Sequence, residues 1–434
     1  METRRVVICC GLAVMMLASV RCAWAAEISL WPMAELDEIY DDNVNLTPTN
    51  RKGDFVTAET FGATLETSTT ARDVFLTYQT KLLEYASYSD HDSFGTSHFA
   101  NLKDFEKLTP TTTLSISDDL LVGNAASNGI LVGGVAPIGT QLMRSLFYQS
   151  STLSNSLAMD LFSNYENSFR WTANVHQNFF STLSGSSSNT NSSGNFFNQG
   201  GALGGEWDLP ESFAAGFGYQ FEDFRSSAGD LPSADTNWPQ FRMRWGGDTP
   251  FSFHAQVGPV ITYSSSGSLL TSNNSGPPIR TVVPAQTKVD AGYLVSGDYH
   301  DRRLTISASA AQQPGFGAGF AFASNVQSYS LLASYKLSRR ATIFANGGYY
   351  TQNNSGVSEQ GLTYTAGMNY RVNKYVVLSA NYLGFQTKAS GPAVLGTFVA
   401  VPGARTTINL FQVGITFAPP PLIWRPYSSS KGSK

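Results

Sequence analysis

The chain contains 434 residues with a formal net charge of −4, and 14% of its residues are charged, against about 25% in ordinary soluble domains. This mild acidity gives no basis for nucleic-acid binding, so no nucleic-acid partner is expected. Hydrophobic residues account for 42% of the chain, yet no stretch after the N-terminus approaches the roughly 18 consecutive apolar residues of a membrane-spanning helix. The composition therefore excludes helical membrane spans.

The N-terminus has the three parts of a secretion signal. Arg4 and Arg5 supply positive charge, residues 6–20 are mostly apolar, and Ala23-Trp24-Ala25 forms an A-x-A cleavage site. The apolar run is too short to span a membrane comfortably. We therefore expect residues 1–25 to be a signal peptide that is cleaved after export.

All cysteines of the chain lie in that leader, at Cys9, Cys10 and Cys22. The mature chain would then have no disulfide, no thiolate metal site and no cysteine nucleophile. The leader carries a net charge of +2, so the mature chain would carry −6.

Beyond the leader, apolar and polar side chains alternate in one segment after another. In 212–224, Phe213 and Phe217 share one face, while Gly216 and Gln220 share the other. Such alternation is typical of strands that face hydrocarbon on one side and water on the other. In chain order, the predicted strands are 30–41, 54–68, 73–87, 96–107, 111–120, 146–165, 168–181, 196–208, 212–224, 237–246, 250–263, 286–299, 303–313, 325–337, 341–352, 361–373, 375–387 and 404–417.

The connections between these strands alternate in length. The short ones are Thr69–Arg72, Leu108–Pro110, Glu166–Ser168, Leu209–Glu211, Gly247–Thr249, His300–Arg302, Ser338–Arg340 and Asn373–Lys374. The long ones are 42–53, 88–95, 121–145, 182–195, 225–236, 264–285, 314–324, 353–360 and 388–403. Tight periplasmic turns and long outer loops are the expected asymmetry of outer-membrane barrels. The sequence thus predicts an all-β, antiparallel up-and-down transmembrane barrel of about 18 strands, within a range of roughly 16–20.

The last strand is predicted to seal the barrel. Its lipid-facing set is Phe411, Val413, Ile415 and Phe417, and its other face carries Gln412, Gly414 and Thr416. The barrel is thereby assigned to residues 26–417, and 418–434 are expected to form a Pro-rich periplasmic tail. Whether that tail is an unstructured end or contacts an envelope partner is left open.

Large aromatic residues near strand ends distinguish the membrane barrel from a soluble secreted β protein, whose strands would also be two-faced. Such rings suit the girdles at both membrane interfaces. They are Trp171, Trp207, Trp245, Tyr299, Tyr335 and Tyr370. The expected partners are outer-membrane lipid, lipopolysaccharide and the barrel-assembly machinery of a Gram-negative bacterium.

Several short motifs resemble a known family. The stretches 32–36 (PMAEL) and 40–44 (YDDNV) are similar to the N-terminal signature of the β-barrel porin family of Gram-negative outer-membrane proteins, and 115–119 (SISDD) and 335–338 (YKLS) are similar to later elements of it. Most members are uncharacterised and some are associated with exopolysaccharide secretion. The resemblance implies an outer-membrane barrel, with a periplasmic polysaccharide-export component as a candidate partner. It implies no catalytic residue and no cofactor.

A barrel of this size is too wide to be filled by its own side chains and leaves an aqueous lumen. Charges on its inner face either steer solutes or pair with each other to keep the wall polar, as Glu206 and Arg244 would. By alternation, the candidate lumen-facing residues are Arg170, His176, Glu206, Asp208, Glu222, Arg242, Arg244, Lys288, Asp290, Asp298, Lys336 and Arg371.

The connection 121–145 is unusually apolar, through Ile130, Leu131, Val132, Val135 and Ile138. An outer loop of this composition would be poorly soluble if it extended into water. It is a candidate constriction loop that folds into the lumen, and the alternative is packing against neighbouring loops at the rim.

Enzymatic and metal sites receive little support. The loop residues 90–93 (DHDS) contain Ser, His and Asp, but adjacency in sequence does not build a catalytic triad, and neither G-x-S-x-G nor HExxH occurs. The oxygens of Asp41, Asp42 and Asn43 are better explained by a turn than by a calcium site. We predict no enzyme, no metal and no cofactor.

The leading hypothesis is a porin-like channel for hydrophilic solutes, with exopolysaccharide export as its narrower form. The alternatives are a non-conducting structural or adhesive barrel with long surface loops and, third, a barrel-embedded hydrolase.

Overall fold

A computed structural model describes most of the chain as β-strand. The described residues are 27–44, 50–88, 97–124, 150–165, 169–185, 196–226, 233–246, 249–271, 279–315, 324–354, 357–390, 394–395 and 405–424. Within them, no helix is long and apolar enough to cross a membrane. The strands are β1 Glu27–Asp41, β2 Asp54–Ser68, β3 Arg72–Tyr85, β4 Ser97–Lys107, β5 Thr112–Asn124, β6 Ser150–Tyr165, β7 Phe169–Gly185, β8 Phe196–Leu209, β9 Phe213–Ser226, β10 Ala234–Trp245, β11 Phe251–Ser264, β12 Gly267–Thr271, β13 Ile279–Val283, β14 Gln286–His300, β15 Leu304–Gly315, β16 Ser324–Lys336, β17 Ala341–Asn354, β18 Val357–Arg371, β19 Val376–Ser390, β20 Val394–Leu395, β21 Arg405–Phe417 and β22 Leu422–Trp424.

Eighteen long strands, all except β12, β13, β20 and β22, form one closed antiparallel barrel. Each pairs with the next long strand along the chain, and β21 pairs with β1 from Ala34↔Phe417 to Asp41↔Leu410. The predicted fold class and strand number are therefore confirmed.

The two faces of the wall differ in chemistry. Large apolar side chains such as Phe217, Leu203 and Val289 occupy one face and are 61–68% exposed. On the other face, side chains two strands apart touch, as Arg242 of β10 does with Glu206 of β8. Side chains converge on the concave side of a curved sheet, so this second face lines the lumen and the first faces lipid.

The short connections lie together at one end of the barrel. The turn after β2 is closed by Thr69 N donating to Arg72 O at 2.9 Å, and that after β14 by Asp301 N donating to Leu304 O at 2.8 Å. By the usual asymmetry of such barrels, this is the periplasmic end.

The closing strand β21 presents its apolar set outward. Phe411, Val413, Ile415 and Phe417 are 42–52% exposed, while Gln412 on the inner face is only 7% exposed. The ladder does not stop at Phe417, because β22 resumes the pairing with β1 at Leu30↔Leu422 after three prolines. Part of the predicted tail thus continues the barrel seam, while residues 1–26 and 425–434 lie outside the described part of the chain.

A small second sheet joins two of the predicted loops. Strands β12 and β13 form a hairpin within 264–285, and β20 pairs with β12 through Leu270↔Leu395. The alternation pattern did not predict these short strands, which lie beyond the extracellular ends of β11 and β19.

Candidate functional site

The inner wall of the barrel contains all of the polar residues that the sequence suggested for the lumen. The ladders align Arg170 with Glu206 and Glu206 with Gly216, so the predicted residues of β7 and β8 share one face. The same register carries through β9 and β10 to His254 on β11 and Ser296 on β14. Lys288, Asp290 and Asp298 of β14, Lys336 of β16 and Arg371 of β18 have the same parity as these inner positions.

Five of these residues form a cluster near the periplasmic ends of β7, β8 and β10. We call Arg170, Arg242, Arg244, Glu206 and Asp208 the arginine cluster. Arg244 donates to Asp208 at 3.1 Å and to Glu206 at 3.5 Å, and Arg170 donates to Asp208 at 3.2 Å. Three guanidinium groups thus share two carboxylates, which leaves the cluster with one excess positive charge.

Arg242 reaches its position because two neighbouring strands carry glycine beneath it. A Cβ on Gly204 of β8 would lie 1.8 Å from Arg242 Nη1, and a Cβ on Gly218 of β9 would lie 2.9 Å from Arg242 Cδ. The side chain therefore lies flat along the wall and donates to Thr172 Oγ1 of β7 at 3.1 Å. Its Nε is 3.5 Å from Glu206 Oε1 but makes no hydrogen bond. Sequence alternation identified Arg242 but not the role of these glycines.

A cavity of about 240 Å³ opens beside this cluster. Phe162, Thr172 and Gly204 complete its lining with Arg170, Glu206, Arg242 and Arg244. A concave pocket with several guanidinium groups is suited to a small anion, because arginine offers paired N–H donors to carboxylate or phosphate oxygens.

A second polar group lies further toward the extracellular end. His176 Nε2 is 2.9 Å from Glu222 Oε2, and Gln220 donates to Glu222 Oε1 at 2.9 Å. Glu222 crosses the space above Gly200, where a Cβ would lie 2.6 Å from the carboxylate. This group holds its charges within the wall rather than presenting them to the lumen.

The remaining predicted residues are more accessible. Lys288 and Asp290 pair at 2.8 Å on β14. Asp298, Lys336 and Arg371 are exposed and have no ion pair with any described residue. The last two add positive charge near the periplasmic end of the inner wall.

One sector of the inner wall is closed to solvent and contains an apolar cluster among buried polar side chains such as Asp37 and Lys81, and the sequence analysis did not anticipate it. We call it the sealed sector. Val44, Ala58 and Tyr350 are at most 1% exposed, and the other members are at most 9% exposed. Its residues lie at the extracellular ends of β1–β3, β17, β19 and β21 and are Ile39, Val44, Val56, Ala58, Leu83, Tyr85, Tyr350, Phe385, Ile408 and Leu410.

The segment after β1 is hydrogen-bonded to the closing strand β21 next to the sealed sector. Asp42 accepts hydrogen bonds from Asn409 N at 2.7 Å and from Asn409 Nδ2 at 2.6 Å. Asn43 is fully buried and donates to Thr407 O at 3.0 Å. The oxygens considered for calcium are therefore engaged in local hydrogen bonds, including Asp41 Oδ1, which accepts from Asn43 N.

Two sets of predicted residues lie outside the described part of the chain. They are the candidate constriction loop, with Ile130, Leu131, Val132, Val135 and Ile138, and the loop residues 90–93. Among the described residues, no group of three or more His, Cys, Asp or Glu side chains is placed to hold a metal ion.

A closed antiparallel barrel with an apolar outer face and a polar inner wall is a transmembrane β-barrel of the outer-membrane type. No family model matches the chain, and no curated protein matches it. Among solved structures, it is similar to Pseudomonas aeruginosa OccK2 in complex with glucuronate, with a TM-score of 0.44 and 12% identity over 91% of this chain and 98% of that one.

Two further solved structures match the chain with comparable TM-scores. Acinetobacter baumannii OccAB4 matches with a TM-score of 0.43 and 9% identity, over 92% of this chain and 99% of that one. The FrpB iron transporter from Neisseria meningitidis matches with a TM-score of 0.42 and 8% identity, over 89% and 82%. Similarity at this level carries no information on cargo.

Proposed function

We propose that the protein is a porin-like outer-membrane channel for hydrophilic solutes that favours anions. The observation that carries the proposal is the inner wall, where a positively charged arginine cluster lies on a polar face built largely from short side chains. Charges on a pore wall set which ions enter and cross most readily.

Barrel size supports an open path. Eighteen strands enclose more volume than the side chains of a barrel wall can fill. The sealed sector occupies the extracellular part of the wall on β1–β3, β17, β19 and β21 only. Next to this sector, β15 and β16 line the inner wall with Ser307, Ser309 and Ser330, whose side chains are short. We therefore place the conducting path along the polar inner wall outside the sealed sector.

The arginine cluster supports the preference for anions. Glu206 lies 3.5 Å from both Arg242 and Arg244, and Arg244 lies 3.1 Å from Asp208. These contacts are long, and Glu206 forms no close bidentate pair with either arginine. The cavity beside it makes these guanidinium groups accessible from the lumen. A passing carboxylate or phosphate can compete for such donors, because bidentate binding by arginine is stronger than these long contacts.

Conductance in planar bilayers tests the proposal. The purified barrel should pass ions, and replacing Arg242 and Arg244 with Gln should shift the reversal potential in a salt gradient toward cation preference. Arg72→Gln is the matched control for each single replacement, Arg242→Gln or Arg244→Gln, because Arg72 pairs with Asp104 on the outer face and the substitution removes one positive charge outside the lumen.

Two outcomes would contradict the proposal. A folded, inserted barrel without conductance would favour the non-conducting structural or adhesive alternative. Equal shifts for the lumen variant and the Arg72→Gln control would show that the arginine cluster does not line the path.

Export of an exopolysaccharide is the narrower version of this function. Its support is the similarity of residues 32–36 and 40–44 to porins associated with such secretion. Deleting the gene in its host should then lower secreted polysaccharide while leaving cell-associated polymer in the periplasm. Normal secretion would restrict the protein to small solutes.

A further inference from the structure

The outer face of the barrel carries a carboxylate where lipid-facing residues are expected. Asp118 is the seventh of the thirteen residues of β5. Its neighbour Asp119 points into the lumen and accepts a hydrogen bond from Asn101 at 2.5 Å. Since successive residues of a strand point to opposite faces, Asp118 lies on the outer face near the middle of the membrane.

The surroundings of Asp118 are those of the apolar band. Ile116 and Leu120 flank it on the same face of β5, and the ladders set it opposite Leu102 of β4 and Leu157 of β6. Its described polar partner is Asn155, which donates to Asp118 Oδ1 at 2.6 Å. A charged side chain at this depth is unfavourable against lipid, and one amide does not replace the water it loses.

Asp118 belongs to a wider polar patch on the same side of the barrel. Thr80 of β3, His98 of β4 and Gln177 of β7 also lie on the outer face, and His98 Nδ1 is 2.9 Å from Tyr78 Oη. Outer-face residues in the middle of other strands are apolar, for example Phe217, Val257, Val295, Leu331, Ala366 and Val413. We call these residues of β3–β7 the polar patch. Glu59 of β2 and the hydrogen-bonded pair Gln312 and Gln327 of β15 and β16 are further polar residues on the outer face, and they lie nearer the extracellular ends of their strands than Asp118 does.

We propose that this outer patch on β3–β7 is an interface with a second copy of the chain. A partner that covers a residue at mid-membrane depth must itself lie within the bilayer, which excludes a periplasmic protein. The patch combines the Asp118 carboxylate with side chains that can donate, namely Asn155, His98, Thr80 and Gln177. Two copies related by a two-fold axis would bring donors of one against acceptors of the other, as isologous interfaces require.

Site-specific photocrosslinking in intact cells tests which molecule covers the patch. A benzophenone amino acid at Leu157, which lies opposite Asp118 and is 40% exposed, should give a product of twice the chain's mass. The same probe at Leu331, on the far side of the barrel and 54% exposed, should not. Adducts at Leu157 with lipopolysaccharide or with a protein of another mass, or no adduct, would overturn the proposal.

Substitution of Asp118 tests the chemistry of the interface. We expect Asp118→Leu to raise the dissociation constant of the oligomer about tenfold or more, or ~1.4 kcal/mol, as measured by light scattering in mild detergent. Asp118→Asn keeps the hydrogen-bonding groups and should remain associated. Heat-modifiable migration on gels checks that each variant is folded. A monomeric wild type, or association unchanged by Asp118→Leu, would overturn the proposal.

Discussion

A pair of adjacent residues in the middle of β16 separates the two faces of the wall in one experiment. Leu331 is 54% exposed on the outer face. Ser330 lies on the inner wall, where its Oγ is 2.7 Å from Ser309 Oγ of β15. Arginine at either position has the same depth in the membrane and the same local backbone, so the two variants differ only in the face that receives the charge.

The expected costs differ in size. Arginine on the lipid face near the midplane costs about 2–4 kcal/mol. Arginine at Ser330 loses one neutral hydrogen bond, worth about 0.5–1.5 kcal/mol, while its guanidinium remains in lumen water. We therefore expect Leu331→Arg to be less stable than Ser330→Arg by about 1–3 kcal/mol, or roughly 5- to 150-fold in the folding equilibrium.

Folding into lipid vesicles measures this difference. The fraction of folded barrel is read from heat-modifiable migration at increasing urea, in identical vesicles for the wild type and both variants. Equal destabilisation of the two variants, or a larger effect at Ser330, would show that the faces of β16 are assigned the wrong way round.

Three further experiments test the inner wall. Gly204→Ala should displace the Arg242 side chain from the wall, because the new Cβ would occupy the position of Nη1; single-channel recording should show lower conductance and stronger anion preference in a barrel that still folds. In a barrel lacking residues 1–25, and therefore free of cysteine, a hydrophilic maleimide should label Ser307→Cys on the polar wall but not Ala58→Cys in the sealed sector. Deletion of 130–138 should increase conductance if that loop narrows the lumen, and unchanged conductance would assign it to the rim.

Much of the barrel was predictable because strand alternation is a local property. The parity of Phe213, Phe217 and Gly216 in β9 follows from three neighbouring residues, and the structure keeps that parity through every ladder around the wall. Strand number follows from counting such segments. The same parity led to Arg242, Arg244 and Glu206, and the contact of Glu206 with Arg244 considered from the sequence occurs at 3.5 Å.

The features that sequence reasoning missed depend on closure of the barrel. The sealed sector joins Ile39 near one end of the chain to Ile408 near the other, and no local pattern relates positions so far apart. The path of Arg242 across two strands depends on wall curvature and on Gly204 beneath it. The resumption of pairing at Leu422 was missed for a different reason, since three prolines suggested that the strand had ended.

The extracellular end of the seam between β1 and β21 provides the final test of closure. Asp42 accepts two short hydrogen bonds from Asn409 beyond the last ladder pair, Asp41↔Leu410. A hydrogen bond to a charged group contributes about 1.5–3 kcal/mol, so Asp42→Ala should weaken this end by about 2 kcal/mol and speed amide exchange at 407–410 roughly 30-fold. Arg51→Ala is the control, because Arg51 meets Asp42 only through an exposed 3.5 Å contact and should leave those amides protected. Equal exchange in the two variants would mean that the pairing of β1 with β21 holds this end without Asp42, and that the seam is closed by its backbone ladder alone.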